Sequence, residues 1–260
     1  MDVALGGKVL VVTGAASGIG GAVARLAGAS GCGALVLVDR DAEGCQAEGE
    51  RLAAAGTAVE TVTADLGDAG AAVAVARAAI DRFGRIDGLV NAAGLTTRAS
   101  FLDGTPEVWD ELFAVNARAS FLLMQVAIGD MLARRAPGAI VNILSMNAHC
   151  GSPELAIYSA TKGALATLTK NAAHAHMRDR IRVNGVNLGW VATKSEHRMQ
   201  AETLGHGPGW LEVASARMPL GRLLEAEEAA RLAVFLLSDA SIPMSGAVID
   251  LEQKVAGAPS

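Results

Sequence analysis

Aromatic residues are scarce in this chain of 260 residues, which contains five phenylalanines, three tryptophans and one tyrosine. Its core must therefore rely on aliphatic side chains, and hydrophobic residues make up 51% of the sequence. Cysteine is also rare. Cys32, Cys45 and Cys150 are odd in number and lack any CxxC spacing, so neither a disulfide framework nor a zinc site is predicted. We expect no metal site and a reduced, cytoplasmic protein.

Long apolar runs and blocks of like charge are missing as well. No uninterrupted apolar segment reaches the roughly 18 residues that indicate a membrane span. The amino terminus shows no basic segment followed by an apolar stretch and a cleavage site. The formal net charge is only -5, and the sequence contains no basic cluster of the kind that indicates nucleic-acid binding. We expect a soluble protein whose partner is a small molecule, without a membrane or a nucleic acid.

Short runs rich in Val, Ile and Leu alternate with longer alanine-rich segments of helical spacing. This alternation is typical of buried parallel strands connected by helices, and it predicts a sheet covered on both faces. The expected strands begin at Lys8, Ala34, Ala58, Ile86, Ala139, Ile181 and Gly246. The expected helices span 18–30, 41–55, 68–83, 106–134, 154–176 and 225–238. Since no linker or repeat is visible, we expect one α/β domain over residues 1–260.

Residues 190–224 interrupt the alternation. This interval mixes polar, glycine and aromatic residues and is longer than ordinary connections. Long insertions of this kind are usually functional lids or disordered segments. We predict that it forms a substrate-binding insertion or lid.

A glycine-rich turn, "TGAASGIG", directly follows the first expected strand and precedes a helix. Gly14, Gly18 and Gly20 would let the backbone approach a pyrophosphate closely, and Ser17 and Ile19 lie between them. The amino terminus of the helix adds free N–H groups and a partial positive charge. Glycine also serves ordinary tight turns, but the position between strand and helix favours a dinucleotide site.

An acidic residue, Asp39, lies at the end of the second expected strand. A carboxylate about 20 residues after the glycine turn can accept hydrogen bonds from the ribose hydroxyls of the adenosine. Because Asp39 would repel a phosphate on that ribose, the sequence favours NAD over NADP. The adjacent Arg40 would soften the repulsion, and Ser17 offers no cation, so NADP is the second choice. Without the glycine turn, a solvated strand end would explain Asp39 equally well.

The single tyrosine, Tyr158, precedes Lys162 by four positions. On one helix this spacing stacks the two side chains on the same face. A cation at about 4 Å from a phenolate would attract it by roughly 4 kcal/mol at an effective dielectric near 20, which brings the phenol towards neutral pKa values. A general acid or base works best there. The same spacing also occurs by chance, so the pair alone does not decide the function.

Several motifs occur in one order along the chain. They are "TGAASGIG", "NAAG" at residues 91–94, Asn116, Ser145, and "YSATK", which contains Tyr158 and Lys162. In order and spacing the sequence resembles the short-chain dehydrogenase/reductase family, from about Lys8 to Asp250. The resemblance implies a single Rossmann-like domain with a doubly wound parallel sheet of about seven strands. It also implies a homo-oligomer, either a dimer or a tetramer.

The resemblance further implies catalytic roles for four residues, in an enzyme that acts on CH–OH groups. Tyr158 would be the acid/base, and Ser145 would hold the substrate oxygen. Lys162 would perturb Tyr158 and bind the nicotinamide ribose, and Asn116 would hold a water that links Lys162 to solvent. The cofactor carries the hydride chemistry, while the protein orients and polarises.

The same resemblance places further residues at the cofactor. Asp65 and Leu66 would lie near the adenine, Asn91 and Gly94 near the adenosine ribose and its surrounding backbone, and Val191 and Thr193 near the nicotinamide carboxamide. Two departures stand out. Leu188 stands where the family usually has the proline of a Pro-Gly pair, and Trp190 follows Gly189. Without proline the φ angle of residue 188 is not fixed, which puts the positions of Val191 and Thr193 in doubt. At the carboxyl end, where many members have a Gly-Gly pair after an aspartate, this chain has "VIDLEQKV". We expect Asp250, Glu252 and Gln253 to make contacts particular to this branch of the family.

Around the expected reaction site the sequence is rich in hydrogen-bonding groups. We predict that the substrate contacts Ser145, Asn147, His149, Tyr158 and Trp190, with Ser152, Glu154, His197 and Met199 nearby. Such a site rejects ligands that leave its polar groups unpaired, which favours a sugar or polyol. One alternative is a 3-oxoacyl thioester reductase that uses NADPH. Another is a non-catalytic nucleotide-binding regulator on the same fold.

Overall fold

A seven-stranded parallel sheet runs through residues 3–257, the part of the chain that the computed structural model describes. All seven expected strands are present, and each begins at or close to its expected start. The strands are β1 (Val9–Thr13), β2 (Ala34–Asp39), β3 (Ala58–Thr63), β4 (Gly88–Asn91), β5 (Gly138–Ile143), β6 (Ile181–Leu188) and β7 (Val248–Leu251). Their order in the sheet is β3-β2-β1-β4-β5-β6-β7. Every neighbouring pair is parallel.

Helices cover both faces of this sheet, as the alternation in the sequence predicts. They are α1 (Gly18–Ala29), α2 (Ala42–Ala54), α3 (Ala69–Phe83), α4 (Pro106–Phe113), α5 (Ala119–Arg134), α6 (Ala156–His176), α7 (Lys194–Arg198), α8 (Trp210–Ser215) and α9 (Ala226–Leu237). Side chains alternate along each strand: Leu10 and Val12 pack with α1, α2 and α9, whereas Val11 packs with α3, α5 and α6. The fold is the doubly wound, Rossmann-like arrangement.

The segment expected as one helix over 106–134 is not a regular α-helix throughout. A π-helical turn at Ala114–Arg118 separates α4 from α5, and Asn116 lies in it. Such turns insert one residue into a helix and occur often at functional sites. Among the described residues, Pro106–Arg134 is the one helical run long and apolar enough to cross a membrane. However, 56% of its most apolar window is buried inside the fold, as in a core helix.

The strand order reverses at β1, whose neighbours are β2 on one side and β4 on the other. In sheets of this kind ligands bind in the crevice beyond the carboxyl ends of the strands at such a point. The hydroxyl of Thr13, the last residue of β1, accepts hydrogen bonds from the backbone N–H groups of Ala92 (3.0 Å) and Ala93 (3.1 Å) at this point. The glycine-rich turn and the "NAAG" segment are thereby held side by side.

The interval 190–224 has its own small apolar cluster. It contains α7, a π-helical turn at Met199–Thr203, and α8. Trp190 and Trp210 lie with their ring centroids 5.9 Å apart, and Trp210 is buried. A β-bridge between Val191 and Leu224 joins the two ends of the interval. This packing gives the interval a defined structure at the carboxyl edge of the sheet.

Candidate active site

Tyr158 and Lys162 lie on the first turns of α6, and both are buried, with 8% and 5% of their surface exposed. The predicted helical pairing is present: the ammonium nitrogen Nζ of Lys162 lies 5.8 Å from the centroid of the phenol ring. Nζ also donates a 2.9 Å hydrogen bond to the backbone carbonyl of Ile143 at the end of β5. Ser145 follows that strand end, so the hydroxyl, the phenol and the ammonium converge.

Burial has the largest effect on the pKa of Tyr158 and raises it above the ordinary value. A hydrogen bond with Ser145 lowers the pKa, the charge of Glu196 raises it, and the charge of Arg98 lowers it, but the net direction is upward. The expectation that Lys162 would bring the phenol towards neutrality is therefore wrong for this structure. The ammonium is directed to the backbone of β5, and burial lowers the pKa of Lys162 itself to about 8.

Asn116 connects the loop after β4 to α6. Its side-chain amide exchanges two hydrogen bonds with the backbone of Leu95, at 2.8 and 2.9 Å. It also donates to the hydroxyl of Thr161 at 3.1 Å, and that hydroxyl donates to the carbonyl of Tyr158 at 2.6 Å. The π-helical turn directs Asn116 to these partners. Its predicted role in holding a water stays a prediction, whereas the structure shows that it fixes the loop beside Tyr158 and Lys162.

The glycine-rich turn has no room for a side chain at Gly14 or Gly20. Gly14 has φ +68°, and a Cβ there would lie 3.0 Å from the backbone of Ala93. At Gly20 a Cβ would overlap the carbonyl oxygen of Gly14, at 2.2 Å. The side chain of Ser17 makes no capping hydrogen bond, and the first turn of α1 has no acidic residue. The N–H groups of this helix terminus fit the pyrophosphate of a dinucleotide.

Asp39 lies beside the glycine-rich turn, where the sequence places it. One carboxylate oxygen accepts a 3.0 Å hydrogen bond from the N–H of Ala16, and the other accepts a 3.1 Å bond from the N–H of Asp41. These bonds fix the carboxylate at the end of β2, with Arg40 exposed next to it. Its contact with a ribose stays a prediction that this geometry permits.

The other predicted adenosine contacts differ in their surroundings. Asp65 is exposed and accepts a hydrogen bond from the N–H of Gly67, while Leu66 is buried in the core. Asn91 is also buried, and its amide donates a 2.7 Å hydrogen bond to the side chain of Asn142. The side chain of Asn91 thus points along the sheet, so a contact with the cofactor would fall to the backbone near Gly94.

The segment that carries Val191 and Thr193 lies across the glycine-rich turn, although the proline of the family pattern is missing. The methyl group of Thr193 would lie 3.5 Å from a Cβ on Gly18. Thr193 caps α7 by accepting from the N–H of Glu196, and Val191 is held by its bridge to Leu224. The bridge supplies the fixed position that proline would otherwise provide.

Of the residues predicted to contact substrate, Asn147 lies at the centre of the site. Both its backbone N–H (3.2 Å) and its side-chain amide (3.1 Å) donate to the hydroxyl of Ser145. His149 instead bonds to Asp250 at 3.0 Å and to Asn187 at 3.2 Å, so its side chain joins the loop to the end of β7. Asp250 lies in the carboxyl-terminal segment that departs from the family pattern, and this is a contact of the kind that the sequence predicts for that segment.

Trp190 reaches the site indirectly. Its indole N–H donates a 2.9 Å hydrogen bond to Glu196 on α7. Glu196 in turn lies 3.8 Å from the guanidinium of Arg98, and both charges affect the pKa of Tyr158. Sequence reasoning singled out neither residue. Arg98 shortly follows "NAAG", but no local signal places it next to a residue almost a hundred positions away.

A family model described as enoyl-(acyl carrier protein) reductase matches residues 14–253. The match spans the glycine-rich turn, Ser145, Tyr158 and Lys162. The chain belongs to the short-chain dehydrogenase/reductase family.

Relatives within this family extend over the whole chain. L-xylulose reductase from Bos taurus is 35% identical over 97% of this chain and 98% of its own length. D-threitol dehydrogenase from Mycolicibacterium smegmatis is 35% identical over 96% and 94% of the two chains. The solved structure of L-sorbose reductase from Gluconobacter frateurii, complexed with NADPH and L-sorbose, is 28% identical, covers 100% of both chains and has a TM-score of 0.93. These similarities establish a nicotinamide nucleotide as the cofactor.

The glycine-rich turn, which is the expected cradle for the cofactor, allows a test of cofactor binding at Gly14. We expect Gly14→Ala to raise the Kd of NADH at least about tenfold, because the new Cβ displaces the backbone of Ala93 from the turn. Gly31→Ala is the matched control, since Gly31 has φ +76° and no neighbour within 4 Å. Both variants carry a backbone strain of roughly 1 kcal/mol. Fluorescence titration measures the Kd, and an unchanged value in Gly14→Ala would contradict this description of the cradle.

Proposed function

We propose that this chain is an NAD-dependent oxidoreductase that interconverts a secondary alcohol and a ketone of a sugar or polyol. The observation that carries the proposal is the convergence of Ser145, Tyr158 and Lys162 at the carboxyl ends of the strands, beside the reversal in strand order. A hydroxyl, a phenol and an ammonium group next to a dinucleotide cradle are suited to move one proton.

Ser145 and Tyr158 have separate roles in ketone reduction. The hydroxyl of Ser145 donates a hydrogen bond to the carbonyl oxygen and polarises it. The phenol of Tyr158 gives its proton to that oxygen, which becomes the hydroxyl of the alcohol. When bound, the nicotinamide supplies the hydride for this reduction and accepts it in the opposite direction. Alcohol oxidation reverses both the proton transfer and the hydride transfer.

Lys162 and Asn116 keep this geometry in place. Lys162 ties α6 to the end of β5 through its hydrogen bond to the carbonyl of Ile143, and Asn116 holds the loop after β4 against the same helix. Burial raises the pKa of Tyr158 above its ordinary value, so the phenol is protonated at neutral pH and is available as a proton donor. We therefore expect ketone reduction to predominate near neutrality, and alcohol oxidation to gain with rising pH.

The polar lining of the site supports a hydroxylated substrate. Asn147, Arg98 and Glu196 add an amide, a guanidinium and a carboxylate around Tyr158. Such groups are costly to leave unpaired, so a ligand with several hydroxyls matches them better than an apolar one. The relatives named for xylulose, threitol and sorbose are also consistent with this class.

The proton-transfer role of Tyr158 is tested by Tyr158→Phe. This variant removes one oxygen atom, so we expect turnover of xylitol or L-xylulose to fall at least about a thousandfold while the Kd of NADH stays within about twofold. Initial rates in both directions and fluorescence titration measure the two effects. A Tyr158→Phe variant with wild-type turnover would refute the mechanism. Loss of cofactor binding together with activity would show that Tyr158 acts in binding.

The preference for NAD rests on the carboxylate of Asp39, which the hydrogen bonds to Ala16 and Asp41 hold next to the glycine-rich turn. A phosphate on the adenosine ribose would lie against this negative charge. The solved structure of L-sorbose reductase contains NADPH, so the preference for NAD in this chain depends on its own Asp39. The adjacent Arg40 is exposed and would soften the repulsion of a phosphate.

Replacing Asp39 by Ser tests the cofactor preference. We expect the wild type to have the higher kcat/KM with NAD, and Asp39→Ser to reduce the ratio of NAD to NADP at least about tenfold, because the repelling charge is gone. Ser retains an acceptor for the N–H of Ala16. Glu43→Gln, which removes a charge from the exposed first turn of α2, is the matched control and should leave the ratio unchanged. A wild type that prefers NADP would contradict the proposal.

A further inference from the structure

We propose that Arg98 and Glu196 form a neutral selectivity pair that binds hydroxyl groups of the substrate and rejects a substrate with a carboxylate at that end. The inference rests on the proposed function and narrows it from sugars and polyols in general to their uncharged members. Three observations carry it: the place of Arg98 beside α6, the anchoring of Glu196, and the distance between the two charges.

Arg98 is held beside the helix that carries Tyr158. The neighbouring Ala99 forms a parallel bridge with Leu155, just before α6. Its N–H donates to the carbonyl of Glu154 at 2.8 Å, and its carbonyl accepts from the N–H of Ala156 at 3.0 Å. These bonds fix the backbone next to Arg98 against the first turn of α6. The backbone at Arg98 therefore has a defined position beside α6.

Glu196 approaches from the interval 190–224. One carboxylate oxygen, Oε1, accepts hydrogen bonds from the indole of Trp190 at 2.9 Å and from the buried amide of Gln200 at 2.7 Å. Within residues 3–257 the other oxygen, Oε2, accepts no hydrogen bond. The carboxylate is thus oriented through one oxygen and keeps the second for a ligand.

The two charges are close but not joined by a hydrogen bond. Nη2 of Arg98 and Oε1 of Glu196 are 3.8 Å apart, and the two side chains are only 21% and 15% exposed. Nη1 of Arg98 donates to the carbonyl of Thr96 at 2.9 Å, which leaves other N–H groups available. Ala99, which follows Arg98, packs in the same buried cluster as Tyr158, so the pair lies close to the phenol. The charges of Arg98 and Glu196 also affect the pKa of Tyr158, in opposite directions.

The hydrogen-bonding groups and the charge of a ligand determine whether it matches the pair. A hydroxyl group both donates and accepts, so neighbouring hydroxyls can donate to Oε2 of Glu196 and accept from Arg98. A carboxylate accepts from Arg98 but has no proton for Glu196, and the two negative charges repel each other at a half-buried site. The pair thereby favours neutral polyols and ketoses over sugar acids.

The test compares neutral polyols with a sugar acid. We expect Glu196→Gln to raise the ratio of kcat/KM for D-gluconate to that for xylitol or D-threitol at least about tenfold, since the repelling charge is removed and Arg98 remains. Glu202→Gln is the matched control, because Glu202 is exposed on the adjacent π-helical turn and should leave the ratio unchanged. The Kd of NADH and thermal unfolding verify that each variant is folded.

A double variant separates selectivity from a general loosening of the site. We expect Arg98→Gln combined with Glu196→Gln to lose the gain for D-gluconate, because that gain depends on the remaining cation. If the gain persists without Arg98, the selectivity pair is refuted. If the wild type oxidises polyols but Glu196→Gln leaves the ratio unchanged, the pair is refuted and the proposed function stands. A wild type that turns over no polyol or sugar overturns both.

Discussion

The buried ammonium of Lys162 ties the helix that carries Tyr158 to the end of β5. Its hydrogen bond to the carbonyl of Ile143 crosses between the helical layer and the sheet, in a place where an unpaired charge would be costly. This contact holds α6 against the carboxyl edge of the sheet. The phenol therefore lies next to Ser145, which follows the same strand. Asn116 and Thr161 fix the opposite side of the helix to the loop after β4.

Much of this arrangement follows from local sequence signals. Buried strands of aliphatic residues predict the parallel sheet, and glycines between β1 and α1 predict the cofactor cradle, because each depends on neighbours a few positions apart. The π-helical turn around Asn116 has no such signal. Nor do the side-chain directions of Asn91 and His149, which are set by Asn142 and Asp250 from distant strands. Arg98 and Glu196 meet only because a β-bridge and a tryptophan hold two separate segments in place.

The ionisation of Tyr158 shows why spacing alone was insufficient. A lysine four residues away on a helix suggests a lowered phenol pKa, yet desolvation of the same pair acts against both charges. Burial raises the pKa of the phenol and lowers that of the ammonium to about 8. The outcome is a protonated phenol in a partly apolar setting, which suits a proton donor. Charges brought in by the rest of the fold, from Glu196 and Arg98, then adjust its value.

Because Tyr158 is the single tyrosine of the chain, its ionisation can be observed directly. The ultraviolet absorbance of tyrosinate, followed after rapid pH jumps on the folded protein without added cofactor, reports this one phenol. Circular dichroism shows whether the protein stays folded, and Tyr158→Phe supplies the blank. The account predicts a single transition with a pKa above the ordinary 10.0. A transition at or below that value in the folded protein would contradict the claim that burial raises the pKa of the phenol.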